Sequence, residues 1–241
     1  MEVHAHSHTA RKKWTHYLWE FLMLFLAVFC GFLAENLREH KIEKERGRQY
    51  VLSFCEDLRT DTAQFRLLIA ELNDKSQALK TAIPCIDSFV NGSGSGYCLD
   101  DVVVHTLGFT DFIYTDRTIQ QLKYAGGLRL IQDKSIVDTI IKYDAMVRQE
   151  MIHQEVLENQ QQIAQNAHNA MLGYTQLLRL RYNQRSIGNK LTLITTDKSA
   201  LNKYFNEISS FGMGCNGQLR WMISLKDQAS RALEFLKQKG Y

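Results

Sequence analysis

The chain has 241 residues, 45% hydrophobic and 23% charged, with one proline, 14 glycines and five cysteines. That composition excludes a proline-rich linker, a collagen-like chain and a disulfide scaffold, and it favours long helices. A formal net charge of +3 is too small to point to nucleic acid, which needs a strong basic excess gathered on one face.

Residues 1–13 read as a polar tail. His4, His6 and His8 alternate in it, a spacing that can hold Zn²⁺, Ni²⁺ or Cu²⁺ in a flexible segment. A structural zinc site wants four ligands on a supported scaffold, so the expected state of these three is solvated, with adventitious metal at most. The basic run Arg11, Lys12 and Lys13 then leads into WTHYLWEFLMLFLAVFCGFLAEN, which starts at Trp14.

As a helix, residues 14–34 cover about 31 Å, enough to cross a hydrocarbon core roughly 30 Å thick. Trp14, Tyr17 and Trp19 supply an aromatic belt near one interface, and from Phe21 to Ala34 the only polar side chain is the thiol of Cys30. Signal-peptidase cleavage wants small residues just before the cut, and Phe29 or Phe32 stands where one is needed. The segment therefore reads as an uncleaved transmembrane anchor. A bare Lys/Arg count would place the large domain inside the cell, because Arg38, Lys41, Lys44, Arg46 and Arg48 follow the span while three basic residues precede it. The basic cluster abutting the apolar run favours an internal N-terminus. That orientation places a single-pass protein in a bacterial inner membrane, with its helical domain in the periplasm.

Glu20 is the one acid inside residues 14–34. An intramembrane carboxylate is by default a functional hypothesis, such as an ion relay or an oligomer contact. The competing reading puts Glu20 at headgroup depth beside the aromatic belt, since the uninterrupted apolar run starts after it.

Residues 35–49 read as a charged juxtamembrane helix, with Glu35/Arg38, Lys41/Glu45 and Glu43/Arg46 as opposite charges three or four apart. Val51, Leu58, Phe65, Leu72 and Leu79 then recur every seven residues, with Phe54 and Leu68 between them, a coiled-coil-like seam expected to stop at Pro84. NGSGSG at residues 91–96 predicts a flexible tip. Cys85 and Cys98 flank it and could pair in an oxidising compartment, whereas Cys55 and Cys215 occupy seam-like positions and read as core.

Short helices are expected near Asp100 and Asp116, the second ending at Gly126-Gly127, and Asp133 should cap a long helix reaching about Tyr182. Its apolar face is expected to use Ile140, Val147 and Met151, then Ile163, Ala167, Ala170, Tyr174 and Leu177. LLRLRYNQR (residues 177–185) reads as a basic helix end, and LTLITT (residues 191–196) could form a short strand without an evident partner. A final helix after Thr196 carries Leu201, Ile208, Cys215, Met222, Ala229 and Leu236 at a spacing of seven. Residues 212–217 match GxGxxG, yet they interrupt a helical seam outside any βαβ unit, so close helix packing is the better reading. The fold class is all-α: one N-terminal transmembrane helix continuing into an antiparallel bundle of long helices.

WEFLMLFLAVFCGFLAEN, FCEDLRTD (residues 54–61) and LKYAGGLRLIQDKSIVDTIIKYD (residues 122–144) together make the first 145 or so residues resemble a family of uncharacterised bacterial single-span membrane proteins. The resemblance implies one anchor followed by a helical domain, with no activity attached. Ala125 and Asp144 differ from the family pattern, which has a small hydroxyl residue and an aromatic there.

No HExxH, GxSxG, Walker loop or paired-carboxylate motif is present, so neither catalysis nor a cofactor is expected. The leading functional expectation is a membrane-anchored interaction or assembly protein. Its expected partners are the lipid bilayer, copies of itself or other membrane proteins, and not nucleic acid. An ion-coupled transport or motor subunit using Glu20 is the alternative, and a ligand-sensing bundle comes third.

Overall fold

One helix, α1 (Trp14–Val90), runs 77 residues from the apolar segment to the far end of the molecule. It belongs to a computed structural model that describes residues 13–92, 98–108, 111–182 and 191–241, the side chain of Cys98 excepted. His4, His6 and His8 lie outside the described residues. Up to Arg46, α1 touches little of the rest of the chain, and its apolar window is wholly unburied. Among the described residues, α1 is the one helix long and apolar enough to cross a membrane. Of the juxtamembrane charges, Glu35 and Arg38 pair at 2.5 Å, whereas Glu45 accepts from Gln49 at 2.8 Å.

Packing begins at Gly47. A β-carbon there would lie 2.3 Å from the backbone oxygen of Leu130, so only glycine lets α1 meet the 3-10 turn Gly127–Leu130 this closely. Beyond it, Val51, Leu58, Phe65, Leu72 and Leu79 are all buried, as the heptad spacing predicts. The helix does not stop at Pro84 but continues through it to Val90. Pro84 is exposed, so the carbonyl that loses its helical donor faces water, and the break is tolerated.

The chain then returns through α2 (Cys98–Leu107), α3 (Arg117–Tyr124) and the 3-10 turn. Gly126, at φ 67°, supplies the left-handed residue that redirects the backbone after α3. Asp133 caps α4 (Lys134–Met171) by accepting from the backbone N–H of Ser135 at 2.9 Å. It also pairs with Lys239 at 2.9 Å, joining the start of α4 to the end of the last helix. These contacts hold its carboxyl down at about 2, with the Ser135 hydrogen bonds contributing most.

The long helix expected to reach Tyr182 is divided. It ends at Met171, Leu172 is extended, and α5 (Tyr174–Arg181) follows. The LTLITT segment makes the division: Leu193 forms a single antiparallel bridge with Leu172, and the N–H of Ile194 donates to Met171 O at 3.0 Å. No strand forms among the described residues. Arg181 donates to Asn169 at 3.1 Å, while residues 183–185 of the basic cluster lie outside the described set.

Asp197 caps α6 (Lys198–Gln238), whose six heptad residues are all buried. Helix α6 packs on both α1 and α4, running antiparallel to them, and the α2–α3 segment fills the space between α1 and α4. The architecture is an all-α bundle.

Candidate functional site

A group of three buried aspartates lies at the end of the bundle nearest the apolar segment of α1. Asp57, Asp61 and Asp144 are each at most 2% exposed. Asp57 and Asp61 lie one turn apart on α1, and Asp144 enters from α4. Each holds part of the returning segment. Asp57 accepts from Arg117 Nε at 2.6 Å and from the N–H of Thr118 at 3.2 Å, which fixes the first turn of α3. Asp61 accepts from the N–H of Thr115 at 3.0 Å and from the Tyr143 hydroxyl at 2.7 Å. Asp144 accepts from Tyr114 at 3.2 Å, from Arg148 at 3.0 Å and from Lys123.

Burial governs the titration here. Desolvation pushes Asp61 above the ordinary carboxylate range, against the lowering pull of its bonds to Thr115 and Tyr143. Burial would do the same to Asp144, but the hydrogen bonds and charges of Lys123 and Arg148 outweigh it and hold the group low. Tyr114 and Tyr143 are raised by burial and by the neighbouring carboxylates, so both remain phenols that donate. The aspartates are thus saturated with partners from three elements. Such an arrangement clamps α1 and α4 to the segment that returns between them.

Two further polar groups sit deeper in the bundle. His168 on α4 is fully buried, with Nδ1 2.8 Å from the Tyr204 hydroxyl and Nε2 2.5 Å from Thr106 Oγ1. The single hydroxyl hydrogen of Thr106 goes to Val103 O at 2.7 Å. Nε2–H therefore donates to Thr106, and Nδ1 accepts from Tyr204. Desolvation, aided by the charge of Arg181, lowers His168 to about 4. Near the midpoint of α4, Glu150 is also fully buried; its Oε1 accepts from Gln218, and its Oε2 has no partner among the described residues. Burial pushes it up to about 8, so it is a neutral acid at neutral pH.

The candidate residues from sequence stand elsewhere. Glu20 is half-exposed on the apolar part of α1 and pairs with His16 at 3.0 Å. Cys85 is disulfide-bonded, while the side chain of its expected partner, Cys98, lies outside the described residues. Cys55 and Cys215 are buried free thiols, as their seam positions predict. Of the GxGxxG glycines, Gly214 serves close helix packing, since a β-carbon there would meet Gln160 and Leu157 of α4; one on Gly212 would make ordinary contact with Leu79 of α1, and one on Gly217 would meet nothing. Met151, Ile163, Ala170 and Tyr174, expected in the core, are exposed instead. Glu150, Gln161 and His168 take their place on the buried face of α4, alternating with Val147, Leu157 and Ala164. An apolar groove of about 400 Å³ lies between α1 and α6, walled by Leu79, Ile83, Phe205 and Met213.

Among the described residues no three metal-ligating side chains gather as a metal site. FCEDLRTD and LKYAGGLRLIQDKSIVDTIIKYD, distant in sequence, meet in the aspartate cluster, the first through Asp57 and Asp61 and the second through Lys123, Tyr143 and Asp144. No protein-family model, curated protein or solved structure matches the chain.

Proposed function

We propose that the chain is a membrane-anchored helical assembly protein of a bacterial inner membrane, single-pass, with its bundle in the periplasm. Residues 14–34 engage the lipid bilayer, and the bundle joins copies of itself or other membrane proteins. One observation carries the reading: the apolar start of α1 is unburied by the chain, yet it continues without a break into a buried seam of the bundle. A helix apolar on all sides needs an apolar surrounding, which a bilayer supplies. The disulfide at Cys85 favours the oxidising side of the membrane. The aspartate cluster, in which Asp57, Asp61 and Asp144 each hold the returning segment against α1 or α4, supports the scaffold reading.

The second reading, an ion-coupled transport or motor subunit, is supported by the Glu20–His16 pair within the apolar segment. Copurification from gently solubilised membranes separates the two. The assembly reading expects Glu20→Gln to leave insertion, abundance and partner recovery unchanged. Loss of partner recovery or of a proton-driven phenotype, with insertion intact, would replace it with the transport reading.

A further inference from the structure

Asn-Gly occurs twice in the chain, and the fold treats the two pairs differently. Asn216 and Gly217 lie inside α6, between the buried Cys215 and Gln218, where their backbone amides belong to a continuous helix. Asn91 and Gly92 follow the last turn of α1, and both are exposed. Gly92 is in the left-handed region at φ 77°, and its N–H donates to Phe89 O at 3.1 Å.

We propose that Asn91 is a site of spontaneous deamidation, cyclising onto the nitrogen of Gly92. A base removes the Gly92 amide proton, and the nitrogen attacks Cγ of Asn91. The bond from Cγ to the side-chain nitrogen breaks, and that nitrogen takes up a proton and leaves as ammonia. The resulting succinimide then adds water at either carbonyl, giving aspartate or isoaspartate. One water is consumed and one ammonia released, with no oxidant or cofactor.

Glycine makes the attack accessible, since it has no side chain to shield the nitrogen and turns freely into the cyclising conformation. Reaching that conformation requires only the fraying of a helix end, among the least stable openings in a protein. At Asn216 the same geometry requires opening the middle of α6.

The product changes the end of α1. The Asn91 amide now donates to Asp87 Oδ1 at 3.3 Å. A carboxylate in its place faces Asp87 with like charge, at a helix C-terminus that already disfavours anions. The last turn of α1 holds no basic residue to offset it. Isoaspartate also inserts a carbon into the main chain. Deamidation therefore loosens the last turn of α1, and the loosening accumulates with the age of the molecule.

Full-length protein in detergent, incubated at mildly alkaline pH, tests this by peptide mass mapping together with labelling by an isoaspartyl methyltransferase. The expected result is loss of the amide at residue 91, with both products, while Asn216 stays intact over the same period. Asn91→Gln should lose the methyl label. In denaturant both asparagines should convert at similar rates. Retention of Asn91 for as long as Asn216 in folded protein would overturn the proposal. So would a rate difference that persists in denaturant, because the fold would then not be its source.

Discussion

The hydroxyl of Tyr143 donates to the buried carboxylate of Asp61 at 2.7 Å, joining α4 to α1 across a sequence separation of 82 residues. Both groups are almost wholly excluded from water, at 1% and 0% exposure. The bond joins FCEDLRTD to LKYAGGLRLIQDKSIVDTIIKYD, and it ties α4 to the helix that carries the apolar segment. Losing it leaves a buried carboxylate with the Thr115 contacts alone.

Tyr143→Phe should therefore destabilise the bundle by about 1–3 kcal/mol, the usual cost of leaving a buried polar group without its partner. Combined with Asp61→Asn, the loss should be less than the sum of the two single changes. Chemical denaturation of the four proteins gives the answer. Strict additivity would mean that the hydroxyl and the carboxylate do not act together.

Gly47→Ala and Gly214→Ala should differ sharply. At Gly47 the new methyl meets the backbone oxygen and carbon of Leu130, at 2.3 and 2.9 Å, and neither can rotate away. At Gly214 the obstacles are the side-chain ends of Gln160 and Leu157, which can. The first change should cost about 1–3 kcal/mol, as overpacking does, and separate the 3-10 turn from α1. The second should be close to neutral, since alanine also favours helix by about 1 kcal/mol over glycine. Thermal unfolding of the two variants would show the order, and equal losses would contradict it.

His168 and Glu150 should limit stability from opposite sides of the pH scale. His168 titrates at about 4 in the fold against 6.5 in the free side chain. Its contribution is therefore complete above about 6.5 and is lost as the pH falls through about 4, by something on the order of 3 kcal/mol. Glu150 is raised from 4.5 to about 8, so its contribution is complete below about 4.5 and is lost as the pH rises through about 8. Glu150→Gln should flatten the alkaline limb of the stability profile and leave the acid limb. His168→Gln should do the reverse. An alkaline limb unchanged in Glu150→Gln would assign it to other groups.

The sequence pattern reveals the seams more fully than it reveals what lies in them. Period seven selects Val51 to Leu79 on α1 and Leu201 to Leu236 on α6, and all those residues are buried. The positions midway along the same repeat on α1 hold Phe54, Asp61, Leu68, Lys75 and Ala82, so a strict continuation of the register identifies two buried charges. A search for apolar residues passes over them. On α4 the same bias is costly, because the buried stripe includes Glu150, Gln161 and His168 while Met151 and Ile163 face outward. Hydropathy follows the apolar residues, whereas the true face is set by what α6, α2 and the Asp61 cluster offer as partners. Pro84 and Leu172 fail for a related reason. A proline on an exposed face need not end a helix, and a helix can end without a proline where a distant segment takes over its backbone groups.

The most direct test of the account is extraction. Membranes from cells expressing the full chain are washed with alkaline carbonate and then solubilised, beside a version consisting of residues 35–241. The full chain should stay with the membranes until detergent is added, still carrying residues 14–34. Residues 35–241 should appear in the soluble fraction as a mostly helical domain with the Asp61–Tyr143 clamp intact. Recovery of the full-length chain in the soluble fraction without detergent would contradict the anchor and the assembly function built on it.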